Sequence, residues 1–240
     1  MSITKHIPNA ITSLNLLSGA LGVIFTLEGR LDIAFPLMLA GAFFDFFDGL
    51  AARKLGVSGN VGKELDSLAD MVSFGLLPSL MLYETMRLSG CTCPLAYVCL
   101  ILAVLSGIRL AKFNVDERQE CDFIGLATPA SAMICGSLCY FIAISPASKL
   151  TNWIAASWFL PALAVLLGLL LLSEIPMFSM KVSKGHKLFD GKRIVFLSLS
   201  LATAIITAIF MLNWSLFVLL TFTIYLLVNL FVALISSFRK

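Results

Sequence analysis

Residues Asp45 to Asp70 read DFFDGLAARKLGVSGNVGKELDSLAD. The stretch sets four aspartates, Asp45, Asp48, Asp66 and Asp70, in a chain that is otherwise overwhelmingly apolar. On helices, Asp45 and Asp48 share a face at i, i+3, and Asp66 and Asp70 share one at i, i+4. If the two helices are neighbours, the four acids converge at one end of the pair. Carboxylates in or near a bilayer are costly, so such a cluster reads as a functional site. Converging oxygen donors suit hard divalent cations, here two Mg²⁺ or Mn²⁺ ions. Between the pairs, Gly49, Ala52 and Gly62 leave room for a ligand, and Arg53 offers a planar fork to phosphate. The competing reading, in which the acids merely pair with Arg53, Lys54 and Lys63 at a membrane surface, explains one pair better than all the positions together.

The surroundings are those of an integral membrane protein. Of 240 residues, 59% are hydrophobic and 13% charged, with a mean hydropathy of +0.97, which excludes an ordinary soluble domain. A net charge of +3 is too small to point to nucleic acid. Lys5 precedes an apolar run as in a secretory signal, but Asn9, Thr12, Ser13 and Asn15 interrupt the run and no A-x-A site follows. It reads as a retained first helix. The cysteines form no metal-type C-x2-C pair: Cys99, Cys135 and Cys139 fall in apolar helices as packing residues. Cys91 and Cys93 sit in a short loop, where free thiols fit better than a strained bridge. His6 and His186 are isolated and carry no ligand role. There is no internal repeat.

Apolar runs able to span a bilayer, or nearly so, occur about eight times: near 10–27, 31–53, 66–88, 94–112, 128–145, 152–172, 194–212 and 214–236. The expected architecture is all-α and polytopic, a single membrane domain over 1–240, with a core over about 1–172 and a C-terminal helical hairpin over 194–236. Eight spans put both termini on one side. The loops of that side then hold every basic residue except Arg30, Arg87 and Lys149, and the positive-inside rule makes it the cytoplasmic side of the cell membrane. Asp45 and Asp48 fall in the last turns of the second helix, Asp66 and Asp70 open the third, and Arg53 to Lys63 form the loop between them. Both termini and the acid cluster face the cytoplasm.

Other polar groups reach the same face. Asn9 and Thr12, one turn apart in IPNAITSLN, either present polar groups to the cavity beside the acids or cap and cross-link helices. Arg109 and Lys112, at i, i+3 in GIRLAKFN, either snorkel to headgroups or receive a carboxylate or phosphate. Gly125 and Pro129 in FIGLATPASA mark entry to the fifth helix. The loop KVSKGHKLFDGKR is a basic juxtamembrane segment that sets topology and touches anionic lipid. The last two spans carry no charge between Ile194 and Phe238 and look like scaffold.

The pattern D-x2-D-G-x2-A-R-x8-G-x3-D-x3-D, carried here by Asp45, Asp48, Gly49, Ala52, Arg53, Gly62, Asp66 and Asp70, resembles the signature of the CDP-alcohol phosphotransferases. The resemblance implies a six-helix catalytic core plus two further helices, two divalent cations on the four aspartates, and a cytidine nucleotide beside Asn9, Thr12, Gly49, Ala52, Arg53 and Gly62. It also implies Asp70 as general base, and a homodimer. IPNAITSLNLLSG, RLAKFN, FIGLATPASA and SEIPMFS are similar to the integral-membrane phosphatidylserine synthase subgroup. That subgroup more often has an arginine at Lys112 and a proline at Ala127. Membership implies phosphatidyl transfer from CDP-diacylglycerol to L-serine, giving phosphatidylserine and CMP, with Arg109 and Lys112 receiving the serine carboxylate. Glycerol 3-phosphate and an inositol phosphate are the competing acceptors. Asn15 stands where glycerol-phosphate enzymes of the family commonly carry an arginine, which favours an unphosphorylated alcohol. A cation transporter built on the same acids is disfavoured by the missing repeat and by acids at one membrane face.

Overall fold

The computed structural model describes residues 6–57, 59–91, 93–116, 123–145, 149–156, 158–177 and 191–238. The chain is helical almost throughout. Helix α1 covers Ile7–Leu27 and α2 covers Leu31–Leu55. Next, α3 (Asn60–Asp70), a π-helical turn (Met71–Leu76) and α4 (Leu77–Leu88) form one continuous rod. A 3₁₀ segment, Pro94–Leu100, leads into α5 (Ile101–Val115). Helix α6 spans Thr128–Ile144, α7 Lys149–Ala156, α8 Phe159–Leu172, α9 Gly191–Ile209 and α10 Trp214–Phe238. Five helical stretches are long and apolar enough to cross a membrane, and Thr128–Ile144, Phe159–Leu172 and Arg193–Ile209 are shorter apolar helices. These correspond to the expected runs.

Three local features differ from the sequence reading. Helix α3 starts at Asn60, not near residue 66, so Asp66 and Asp70 lie in its second half and the α2–α3 connection shrinks to a few residues around Gly56 and Gly59. The polar run Asn60–Leu65 stays helical because tertiary bonds described below hold it. The sixth span is broken into α7 and α8, with Pro161 in the first turn of α8, where a missing N–H costs least. Finally, Phe123–Ile124 (β1) and Pro176–Met177 (β2) pair antiparallel, Phe123 opposite Met177 and Ile124 opposite Pro176. The basic loop residues Lys5, Arg118, Lys181, Lys184, Lys187, Arg239 and Lys240, together with His186, lie outside the described residues, as do the side chains of Lys149 and Lys192.

The π turn has a local cause. Pro78 has no N–H to give to Phe74, and the turn before it widens so that the Leu77 N–H reaches back to the Val72 carbonyl. The widened turn packs on α1. A Cβ on Gly19 would stand 2.3 Å from Ser73 Oγ and 2.9 Å from Ser73 Cα, so only glycine admits this approach. Helix α1 buries its small and polar face, Thr12, Asn15, Ser18, Gly19, Gly22 and Thr26, and turns Leu14, Leu17, Leu21 and Ile24 outward. That inversion of the soluble pattern is what a helix in lipid requires. The C-terminal helix is tied into the bundle: Trp214 stacks on Phe35 at 5.4 Å between ring centroids and lies 4.9 Å from Tyr140.

Candidate active site

The site sits where α1, α2 and α3 meet. Carboxylate oxygens of Asp45, Asp48 and Asp66 can all lie within 4.8 Å of one another. Asp48 is buried, Asp45 and Asp66 are half-buried, and Asp48 Oδ2 has no hydrogen-bond partner among the described residues. A buried, unsatisfied carboxylate oxygen facing two more carboxylates is strongly unfavourable unless a cation completes it. The donor set, all carboxylate oxygen, fits a hard divalent ion. The basic residues near the cluster do not neutralise it. Arg53 and Lys54 are exposed and make no ion pair among the described residues, while Lys63 Nζ donates to the Asn114 carbonyl at 2.7 Å.

Asp70 stands one turn beyond Asp66, outside the tight group but near enough for electrostatic contact with Asp45, Asp48 and Asp66. Its Oδ1 accepts from Asn15 Nδ2 at 3.2 Å. Asn15 is fully buried, and its carbonyl accepts from Ser73 Oγ at 3.1 Å. Asn15 was read from sequence only as a marker of acceptor type. The signal for more was present, because Asn9, Thr12 and Asn15 recur at i+3 and so share the face that a membrane helix buries.

A cavity of about 360 Å³ opens beside the carboxylates. Asn9, Thr12, Gly49, Ala52 and Gly62 all line it, together with Asp48, Asp66 and Lys63. The Thr12 hydroxyl donates to the Pro8 carbonyl at 3.0 Å and lies beside Asp48. Gly62 faces Asn9 so closely that a Cβ would come to 3.1 Å from Asn9 Oδ1. Arg53 does not line the cavity; its Nη1 lies 3.8 Å from where a Cβ on Gly49 would stand, at the cavity's edge.

Arg109 and Lys112 differ in exposure. Lys112 is exposed, but Arg109 is only 8% exposed, which is not the posture of a headgroup anchor. Its Nη1 donates to Thr128 Oγ1 at 3.1 Å, its guanidinium lies 5.2 Å from the centre of the Phe113 ring, and it is close enough to Asp70 to feel its charge. A second contact ties this helix to the metal-type site. Asn114 Nδ2 donates to Ser67 Oγ at 2.9 Å, and Ser67 can donate in turn to the Lys63 carbonyl at 3.2 Å. Ser67 and Asn114 were missed from sequence, since 47 residues separate them.

A multi-span helical bundle with a carboxylate cluster and a polar cavity at one end of three helices defines an integral membrane protein with a metal-type active site. The chain belongs to the CDP-alcohol phosphatidyltransferase family, whose sequence model matches residues 5–234; enzymes of this family generally depend on divalent metal. It is 32% identical over 217 residues to the CDP-diacylglycerol–serine O-phosphatidyltransferase of Mycobacterium leprae, covering 87% of this chain and 69% of that one. It is 35% identical over 170 residues to the enzyme of the same name from Methanocaldococcus jannaschii, covering 70% and 72%. With the Bacillus subtilis enzyme of that name it shares 37% identity over 133 residues, 54% of this chain and 72% of the relative.

Proposed function

We propose that the chain transfers a phosphatidyl group from CDP-diacylglycerol to L-serine, releasing CMP and leaving phosphatidylserine in the membrane. The observation that carries this reading is the group of Asp45, Asp48 and Asp66 beside a cavity that Asp48 and Asp66 line, with Asp70 one turn further on and a buried arginine within reach of its charge. The names of the relatives support serine as acceptor.

Asp45, Asp48, Asp66 and Asp70 would hold two Mg²⁺ or Mn²⁺ ions, whose positive charge, when bound, offsets the charge growing on the departing CMP. The cavity of about 360 Å³ accepts the cytidine nucleotide, with Asn9, Thr12, Gly49, Ala52 and Gly62 as walls and Arg53 at a phosphate oxygen. The acyl chains stay in the bilayer. Asp70, oriented by Asn15, takes the proton from the serine hydroxyl. The serine oxygen forms a new bond to the lipid-linked phosphorus as the bond from that phosphorus to the CMP oxygen breaks, and CMP leaves with the electron pair. Arg109, with Lys112 beside it, binds the serine carboxylate and brings the hydroxyl to Asp70. The site faces the cytoplasm, the chain forms one membrane domain, and it works as a homodimer.

The test supplies purified protein with CDP-diacylglycerol, Mn²⁺ and one alcohol at a time, and follows CMP release. Serine gives the fastest release. Faster release with glycerol 3-phosphate or an inositol phosphate would make Arg109 and Lys112 phosphate ligands and overturn the choice of acceptor. Excess chelator stops the reaction.

A further inference from the structure

Serine is a zwitterion, and Arg109 and Lys112 answer only its carboxylate. The structure brings three separate segments, RLAKFN, FIGLATPASA and SEIPMFS, around a second cavity of about 80 Å³ lined by Arg109, Lys112, Asp116, Ile124, Ser173 and Glu174. On the order of five water molecules fill such a space, the scale of a small amino acid and far below that of a nucleotide. Its walls carry both signs of charge. Among the described residues Lys112 and Glu174 form no ion pair with each other, so neither neutralises the other.

Glu174 is placed by backbone, not by chance of a loose loop. The Gly125 N–H donates to the Ile175 carbonyl at 2.9 Å and the Leu126 N–H to the Leu170 carbonyl at 2.9 Å. Ile124 pairs with Pro176 in the β1–β2 ladder. Gly125 has φ +77°, and a Cβ there would stand 2.7 Å from the carbonyl oxygens of Leu171 and Ser173. A glycine is therefore required here, three residues before the Thr128 that binds Arg109, to press the end of α8 against the start of α6.

Resting on serine as the acceptor, we propose that this cavity is the acceptor's binding site and that the Glu174 carboxylate takes its ammonium. The arrangement explains a preference for serine over phosphorylated alcohols. Two cations alone would welcome a phosphate, whereas acids in the same small space repel one and favour an ammonium. Glu174 is exposed, so its contribution is that of a solvent-screened charge pair.

The experiment compares serine with 3-hydroxypropanoate, which is serine without the amino group, as acceptors for CMP release from CDP-diacylglycerol with Mn²⁺. Wild type prefers serine. Glu174→Gln lowers the ratio of kcat/KM for serine to that for 3-hydroxypropanoate about twofold to fivefold, mostly through the KM for serine. Glu174→Asp restores most of the ratio, which a merely structural role for the side chain would not produce. A Glu174→Gln enzyme with the wild-type ratio, or one that loses both acceptors equally, overturns the inference while leaving serine as acceptor intact. A wild type that releases no CMP with serine overturns the reading beneath it as well.

Discussion

The Asp48 carboxylate is the most exacting residue of the site, because it is buried and one of its oxygens has no donor among the described residues. Asp48→Asn keeps the shape and removes the charge. Its expected cost is about 10²–10³ in kcat, with at least about tenfold weaker Mn²⁺ binding by calorimetry. Unaltered metal binding in that variant would mean the cluster is not the metal site. The meeting of Asp45, Asp48 and Asp66 was legible in the sequence because helical geometry turns fixed spacings into shared faces, whereas Asp70 stands a turn outside that group. Arg109 was legible as a residue but not as a posture: nothing in GIRLAKFN distinguishes an arginine that snorkels from one that turns inward to Thr128. The difference comes from a hydroxyl at the head of α6, which periodicity cannot see.

At the scale of elements, the site depends on two helices held across a long separation in sequence. The start of α3 looks like a loop from its polar residues, yet Lys63 and Ser67 fasten it to Asn114 at the end of α5. This contact sets Asp66, next to Ser67, relative to the helix that carries Arg109. Asn114→Ala removes the Ser67 bond, worth about 0.5–1.5 kcal/mol, and leaves Lys63 on the backbone carbonyl. The expected result is a threefold to tenfold (roughly, by the same conversion) fall in kcat, with protection of α3 amides from hydrogen exchange reduced more than that of α6. Equal protection in both helices would show that the contact does not fasten α3. The strand pair β1–β2 was likewise beyond sequence reading. Two residues have no period, and the partners are tens of positions apart. The π turn, by contrast, follows from Pro78 once the helix is known to continue through it.

At the scale of the molecule, the apolar runs predicted the passes well because length and hydropathy are local properties. The break between α7 and α8 and the docking of Trp214 against Phe35 are not local, and only packing reveals them. The orientation proposed from the basic loops puts the connection after α4, with the free thiol of exposed Cys93, on the outer side. A membrane-impermeant maleimide should therefore label Cys93 in intact cells expressing a variant whose other cysteines are serine; labelling only after the membrane is opened would reverse the orientation. The central claim is that the aspartate cluster and the cavity between α1, α2 and α3 form one metal and nucleotide site. Crystals grown with CDP and Mn²⁺, measured at the manganese absorption edge, test it most directly. Anomalous peaks are expected against Asp45, Asp48, Asp66 and Asp70, with cytidine beside Gly49 and Gly62; manganese elsewhere, or a base bound outside that cavity, would show that the cluster and the cavity are not one site.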